Sequence, residues 1–341
     1  MTMTHGASVE VTSPASSRKP ALAKTLGWIG RRLVASVVVL FLVSVVVSIA
    51  TQLLPSDPAR IILGELATPQ MLDAFRSAHG LNDPYIVRYG RWLASALTGD
   101  FGASLANGNP VAGQVFPALA NSLILTVIAI IIAVPLSTLI GAAAATRARR
   151  ASDQIFDYVM LALSALPEFV KGTLLVLVFA TAVWRVLPAI AVIPPGASPL
   201  AYPRDIVLPI AVLVLSAVPY LSRLIRASLV EVLASEYVQM ARLKGLSPSR
   251  ILWRHALPNA VVPAIQGAAL CMALMLGGAV VIEYLFRYPG IGALLTDAVR
   301  NRDLPMLQAL IMVYAAVYML VNLAAELLML AVSPEMRAAG R

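Results

Sequence analysis

The sequence predicts an all-α, polytopic membrane protein with six transmembrane helices, and three observations predict it. Hydrophobic residues make up 59% of the 341 and charged residues only 13%, against about a quarter charged in soluble domains. The mean hydropathy is +0.82. Six apolar stretches, near 33–54, 119–145, 155–182, 206–225, 261–284 and 305–332, approach or exceed the roughly 20 helical residues that cross a hydrocarbon core.

Residues 1–32 are polar, with Pro14, Pro20 and several Ser and Thr, and read as a disordered tail preceding the transmembrane region 33–332. The run at 33–54 is full length and continues into Leu54-Pro55-Ser56-Asp57-Pro58, so it reads as a retained span and not a cleaved leader. Between spans one and two lies an external segment, 55–116. In it Thr68-Pro69 predicts an N-cap and first helical residue for an amphipathic helix running to His79. Gly80-Leu81-Asn82-Asp83-Pro84 ends that helix, a second runs from Tyr85 to Leu97, and Gly99-Asp100-Phe101-Gly102 is a turn. Within the spans, Pro135, Pro167, Pro209 and Pro219 predict kinks. Gly267, Gly277 and Gly278 in the fifth span permit close helix approach. Residues 333–341 form a short C-terminal tail.

The net charge of +9 is a topology signal and not a nucleic-acid footprint. Of the 26 Lys and Arg, 16 fall on one side of the spans: Arg18, Lys19, Lys24, Arg31, Arg32, Arg147, Arg149, Arg150, Arg223, Arg226, Arg242, Lys244, Arg250, Arg254, Arg337 and Arg341. The positive-inside rule puts both termini and the loop 236–258 in the cytoplasm. Asp57, Glu65, Asp73, Asp83 and Asp100 gather in the external segment.

Catalytic and metal chemistry find no foothold. The four lysines are Lys19, Lys24, Lys171 and Lys244, and none follows a Gly, so the phosphate-binding loop of P-loop ATPases is missing. The lone Cys271 lies inside the fifth span, and His5, His79 and His255 have no ligand partner at helical spacing. Glu168 and Lys171 lie on one face of the third span. Either they line a substrate path, or they are a mutually neutralising pair facing the interior. Glu326, four residues after Asn322, suits interhelical hydrogen bonding or snorkelling.

The most informative stretch is 236–258, a polar, basic, helix-forming segment between the fourth and fifth apolar runs, interrupted by Gly245. It resembles the coupling loop of ABC importer permeases, whose pattern is Glu-Ala-Ala, three residues, Gly, nine residues, Ile-x-Leu-Pro. Gln239, Met240 and Ala241 stand at the first group, Gly245 at the glycine, and His255-Ala256-Leu257-Pro258 at the last. Gln239 and Met240 depart from that pattern. Together with Tyr237-Val238, Ala241-Arg242 and Lys244-Gly245-Leu246, they are similar to the version in the B-type subunit of dipeptide and oligopeptide importers, in the peptide/nickel family. Leu54 to Arg60, Gly80 to Pro84, Gly99 to Gly102, Glu283 to Phe286, Pro289 to Gly292 and Asn301-Arg302-Asp303 with Pro305 carry the same resemblance. So does the closing segment from Asn322 to Arg337, where Ser333-Pro334-Glu335 replaces the usual Asp-Pro-Arg.

The resemblance covers about residues 30–337 and implies a type I ABC importer permease fold in the bacterial cytoplasmic membrane. It implies that the segment 226–258 couples to an ATPase through Tyr237, Gln239, Ala241, Arg242, Lys244, Gly245, His255, Leu257 and Pro258. In this picture two short helices turn at Gly245, and Pro258 ends the second and leads into span five. The implied partners are a second permease subunit, two ATPase subunits or domains that bind ATP and Mg, an external substrate-binding protein, and the lipid membrane. No cofactor is expected in this chain. Peptide is the expected cargo; a nickel chelate, glutathione or an oligosaccharide are alternatives. An ion-driven secondary carrier, which would show inverted repeats, is a further one.

Overall fold

A computed structural model describes residues 19–53, 57–148 and 151–332. The two terminal tails (1–18 and 333–341), the Leu54–Ser56 part of the first motif, and Arg149 and Arg150 lie outside the described residues. Thirteen α-helices follow in order: α1 (Lys19–Leu53), α2 (Pro58–Leu63), α3 (Pro69–Ala78), α4 (Tyr85–Leu97), α5 (Val111–Ala145), α6 (Ala151–Ala165), α7 (Glu168–Val176), α8 (Pro203–Leu233), α9 (Glu236–Leu243), α10 (Pro248–Arg250), α11 (Leu257–Leu285), α12 (Ile291–Arg300) and α13 (Leu304–Val332). No strand occurs among the described residues. Five helices are long and apolar enough to cross a membrane, and a bent pair, α6 with α7 and its extension to Thr181, is the sixth candidate.

Three features differ from the sequence reading. Helix α1 begins at Lys19, within the stretch read as tail, because Ala21 to Arg32 is rich in helix formers and has no proline. The part of α1 up to Leu42 is one compact unit and Val43 onward is another. The third span is broken, not kinked: α6 and α7 meet at 97°. Pro167 sits in extended conformation (φ −57°, ψ 151°) as the N-cap of α7, and a proline also drives the residue before it away from helix. Third, Pro258 does not end a helix. The chain runs from α10 through a π-helical segment, Ile251–Ala256, straight into α11, with Pro258 in its first turn. The wider π turn, in which Leu257 N–H donates to the Leu252 carbonyl five residues back, is one of the known ways a helix accommodates proline.

Helix α8 is the centre of the second unit. It has 67% of its most apolar window buried, against 17–39% for the other four unbroken spans. It runs through Pro209 and Pro219 as one helix. Leu213 and Leu221 of α8 pack with Leu125 of α5 and Ile282 of α11 in the main apolar cluster. In lipid such packing depends on close fit, since tails are as apolar as the side chains. At Gly141 the fit is between backbones: a Cβ there would lie 2.7 Å from the Ser222 carbonyl oxygen.

The face opposite the 236–258 loop is held by buried polar clips. Asp303 accepts hydrogen bonds from the Ser104 hydroxyl, from Leu105 N–H at 3.1 Å and from Met306 N–H at 3.3 Å. It thereby caps α13 and fastens the turn before α5. Glu283, near the end of α11, accepts from Gly292 N–H at 2.6 Å in the first turn of α12. Its carboxylate fills the space a side chain at Gly290 would need. Tyr288 donates to the Asn121 carbonyl at 2.7 Å, and burial raises its pKa, so the phenol stays a neutral donor. The two outer helices form as expected: Thr68 accepts from Met71 N–H at 3.3 Å with Pro69 following it, and α4 spans Tyr85–Leu97.

Candidate functional site

The loop between α8 and α11 builds its own small core. Val238 and Ala241, three residues apart on α9, are buried against Ile251, with Leu233 and Leu246 closing the cluster. Helix α9 ends in a Schellman turn: Leu246 N–H donates to the Ala241 carbonyl (3.3 Å) and Gly245 N–H to the Arg242 carbonyl (2.9 Å). That geometry puts Gly245 at φ +76°, the left-handed region where other residues are strained. Nothing lies within 4 Å of where its Cβ would be. Within this chain, then, the glycine is required by the turn and not by crowding.

The sequence-predicted residues divide by position. Ala241 is buried, and half-buried Leu257 packs beneath the loop in the cluster holding Ile225, Leu229 and Ala256. Tyr237 is a brace: its hydroxyl donates to the His255 carbonyl at 3.3 Å and accepts from the Asn259 amide at 2.9 Å. Gln239 is exposed and bonds the Ala234 carbonyl at 3.2 Å. Arg242, Lys244 and Pro258 are exposed, and His255 is half-buried and contributes its carbonyl. The loop therefore brings these residues together as a braced platform.

On the outer side of that platform stand residues the motif did not single out. Leu243 is 82% exposed, and Met240 and Trp253 are also open. Met240 and Leu243 share the face of α9 opposite Val238, and the cations Arg242, Lys244, Arg250 and Arg254 of the same loop are exposed. Their signal was present in the sequence: two apolar residues off the buried stripe of a short polar helix. Exposed apolar side chains among charged ones suit a protein-docking surface.

Residues 137–338 match the family described as the binding-protein-dependent transport system inner membrane component, and residues 25–137 match its N-terminal region family. The chain belongs to this family of ABC importer permeases. It is 34% identical over 315 residues to the "Probable peptide ABC transporter permease protein y4tP" of Sinorhizobium fredii, covering 91% of this chain and 99% of that one. To the glutathione transport system permease protein GsiC of Escherichia coli strain K12 it is 33% identical over 313 residues, covering 92% and 99%.

In this permease the loop is tied to the spans by a contact no local pattern reveals. Arg226, near the loop end of α8, forms a bidentate ion pair with Asp153 of α6, with contacts of 2.6 and 2.9 Å. It also lies over the Phe156 ring at 5.6 Å. Arg223 reaches Ser164 of α6 at 3.1 Å. The first half of the broken third span is thus clamped to the helix that carries the loop. Its second half holds Glu168 and Lys171. Lys171 is 6% exposed and donates to Ser216 of α8 at 2.6 Å. Glu168 is half-buried, its carboxylate packed on Gly278 of α11. The ion pairs within 4.0 Å among the described residues join Arg76 to Asp57 and Asp73, Arg91 to Asp83, and Arg226 to Asp153. Glu168 and Lys171 therefore each engage a different neighbouring helix and do not pair directly.

Proposed function

We propose that this permease subunit forms half of a translocation pathway for peptides delivered by an external binding protein. Movement would be driven by ATPase subunits that grip the α9–Gly245–α10 loop. A second permease subunit completes the pathway, and ATP and Mg bind in the partner ATPases. Both termini and the loop would face the cytoplasm, the side that the distribution of Lys and Arg favours. The observation that carries this reading is the loop itself: a two-helix platform with its own core and exposed apolar side chains at Met240, Leu243 and Trp253.

A platform with a core matters because coupling requires that a displacement applied to it reach the spans undamped. The Arg226–Asp153 clamp supports that reading, since it joins α8 to α6 just above the loop. The break at Pro167 supplies a joint between α6 and α7, the kind of discrete element that permits two arrangements of a bundle. In this account Glu168, at that joint and half-buried, lines the pathway, with Lys171 beneath it.

Peptide cargo is supported by the likeness to the Sinorhizobium protein. Glutathione, itself a small peptide, is the second reading, supported by the comparable likeness to GsiC. The test is ATP-driven uptake by the assembled complex in proteoliposomes, with a labelled di- or tripeptide, glutathione or a nickel chelate offered through the cognate binding protein. Accumulation of the peptide alone supports the first reading. Accumulation only of glutathione or the metal chelate overturns it, and uptake that persists without ATPase subunits would make the chain an ion-driven carrier.

A further inference from the structure

On the face opposite the loop, a cavity of about 280 Å³ lies between the outer end of α1, the helix α4 and the start of α13. Its walls carry opposite charges among aromatic rings. Arg88 lines it, and no carboxylate lies within ion-pair distance of Arg88 among the described residues; one guanidinium nitrogen donates to the Leu81 carbonyl at 2.9 Å. The indole ring of Trp92 is also on the wall. Tyr85 and Tyr89 line the same space, Tyr89 stacking on Trp92 with ring centroids 6.3 Å apart. Asp100, whose carboxylate accepts from Gly102 N–H at 2.9 Å, adds the one acidic group.

We infer that this cavity is a binding site for the headgroup of an aminophospholipid in the outer leaflet. The Arg88 guanidinium would hold the phosphate diester, and Asp100 with the aromatic faces would receive the ammonium. Location selects a lipid over a water-borne zwitterion of similar charge. The cavity sits where two spans leave the membrane, at Ser48 and Gln52 of α1 and Leu304 and Gln308 of α13. The adjoining α4 leaves Ile86 80% and Leu97 82% exposed, as a helix resting in the bilayer interface would. Tyr and Trp at that depth belong to an interfacial belt.

The test is native mass spectrometry of the complex released from nanodiscs of phosphatidylethanolamine and phosphatidylglycerol in equal amounts. It would be run for the wild type, Arg88→Gln and Asp100→Asn, with Arg88→Lys as the charge-retaining control. A retained phosphatidylethanolamine that falls about tenfold or more in Arg88→Gln, with a smaller loss in Asp100→Asn and retention kept in Arg88→Lys, supports the assignment. Should Arg88→Gln not assemble, Asp100→Asn, which removes the acidic charge and keeps an oxygen to accept from Gly102 N–H, decides alone. Unchanged retention in the variants, or phosphatidylglycerol held as tightly, overturns it. A thermal shift of the detergent-solubilised complex with soluble phosphoethanolamine or with a dipeptide, equal to that from the lipid, would also overturn it and reassign the site to a free solute.

Discussion

Replacing Gly245 separates what the turn needs from what a partner needs. At φ +76° an ordinary side chain costs roughly 1–2 kcal/mol, and Asn or Asp less. The space around the position is empty within the chain, so no clash adds to that figure. Each kcal/mol moves the melting temperature by about 2–4 °C in chains of 150–250 residues, and by less in longer ones. Gly245→Ala should therefore lower the melting temperature of the purified subunit by only a few degrees, and Gly245→Asn and Gly245→Asp by less still. If the loop sits in a cleft of an ATPase, all three introduce atoms into the contact, and Asp also places a negative charge beside Arg242 and Lys244. The expected ranking is then reversed. Gly245→Asp should be the most stable of the three in isolation or nearly so, and yet lose most of the co-purified ATPase and most ATP-driven uptake. Thermal melts, pull-downs and uptake assays on the same preparations read both scales. Wild-type association and uptake in Gly245→Asp would refute the reasoning. So would losses that simply follow the melting temperature across Ala, Asn and Asp.

Other parts of the site make their own predictions. Leu243→Ser and Met240→Ser, on the open face of α9, should leave the melting temperature nearly unchanged. If they sit at the centre of the contact they should weaken ATPase association by tenfold or more, as measured by pull-down at graded ATPase concentration. Arg226→Ala removes the bidentate partner of the half-buried Asp153 carboxylate and should destabilise the subunit by about 2 kcal/mol. The assembled complex should then hydrolyse ATP with little uptake, and a normal ratio of uptake to hydrolysis would count against the clamp. Gly278→Ala should disturb the α7–α11 contact because the new methyl overlaps the Glu168 carboxylate. The double variant with Glu168→Ala should regain stability, and a double variant as unstable as the sum of the singles would contradict that contact.

Much of this architecture is legible in sequence because lipid imposes a strong compositional rule, and because capping is local chemistry. The span count, the Thr68–Pro69 start of α3 and the Pro84–Tyr85 start of α4 all follow from residues within a turn of each boundary. So does the turn at Gly245. The break at Pro167 was visible only as a proline. Whether a proline bends a helix or parts it depends on how the residues before it are packed, and that is a tertiary matter. The π-helical segments at Leu177–Thr181 and Ile251–Ala256 have no composition of their own, since one wider turn uses the same residue types as an α-helix. The Arg226–Asp153 clamp joins residues 73 apart and the Asp303–Ser104 clip residues 199 apart. Charge counting assigned Arg226 to a side of the membrane but could not pair it. At the candidate site, motif spacing located the loop, while exposure distinguished Ala241, which is buried, from Leu243, which faces outward.

The central claim is that the outer face of α9 lies against an ATPase subunit, and a photo-crosslinking amino acid placed at Leu243 tests it most directly. Irradiation of the native membrane should give a crosslinked product whose mass spectrum joins α9 peptides to peptides of an ATPase. The yield should change when ATP is added. Crosslinks to lipid or to this chain alone, in membranes where the ATPase is present, would contradict the account.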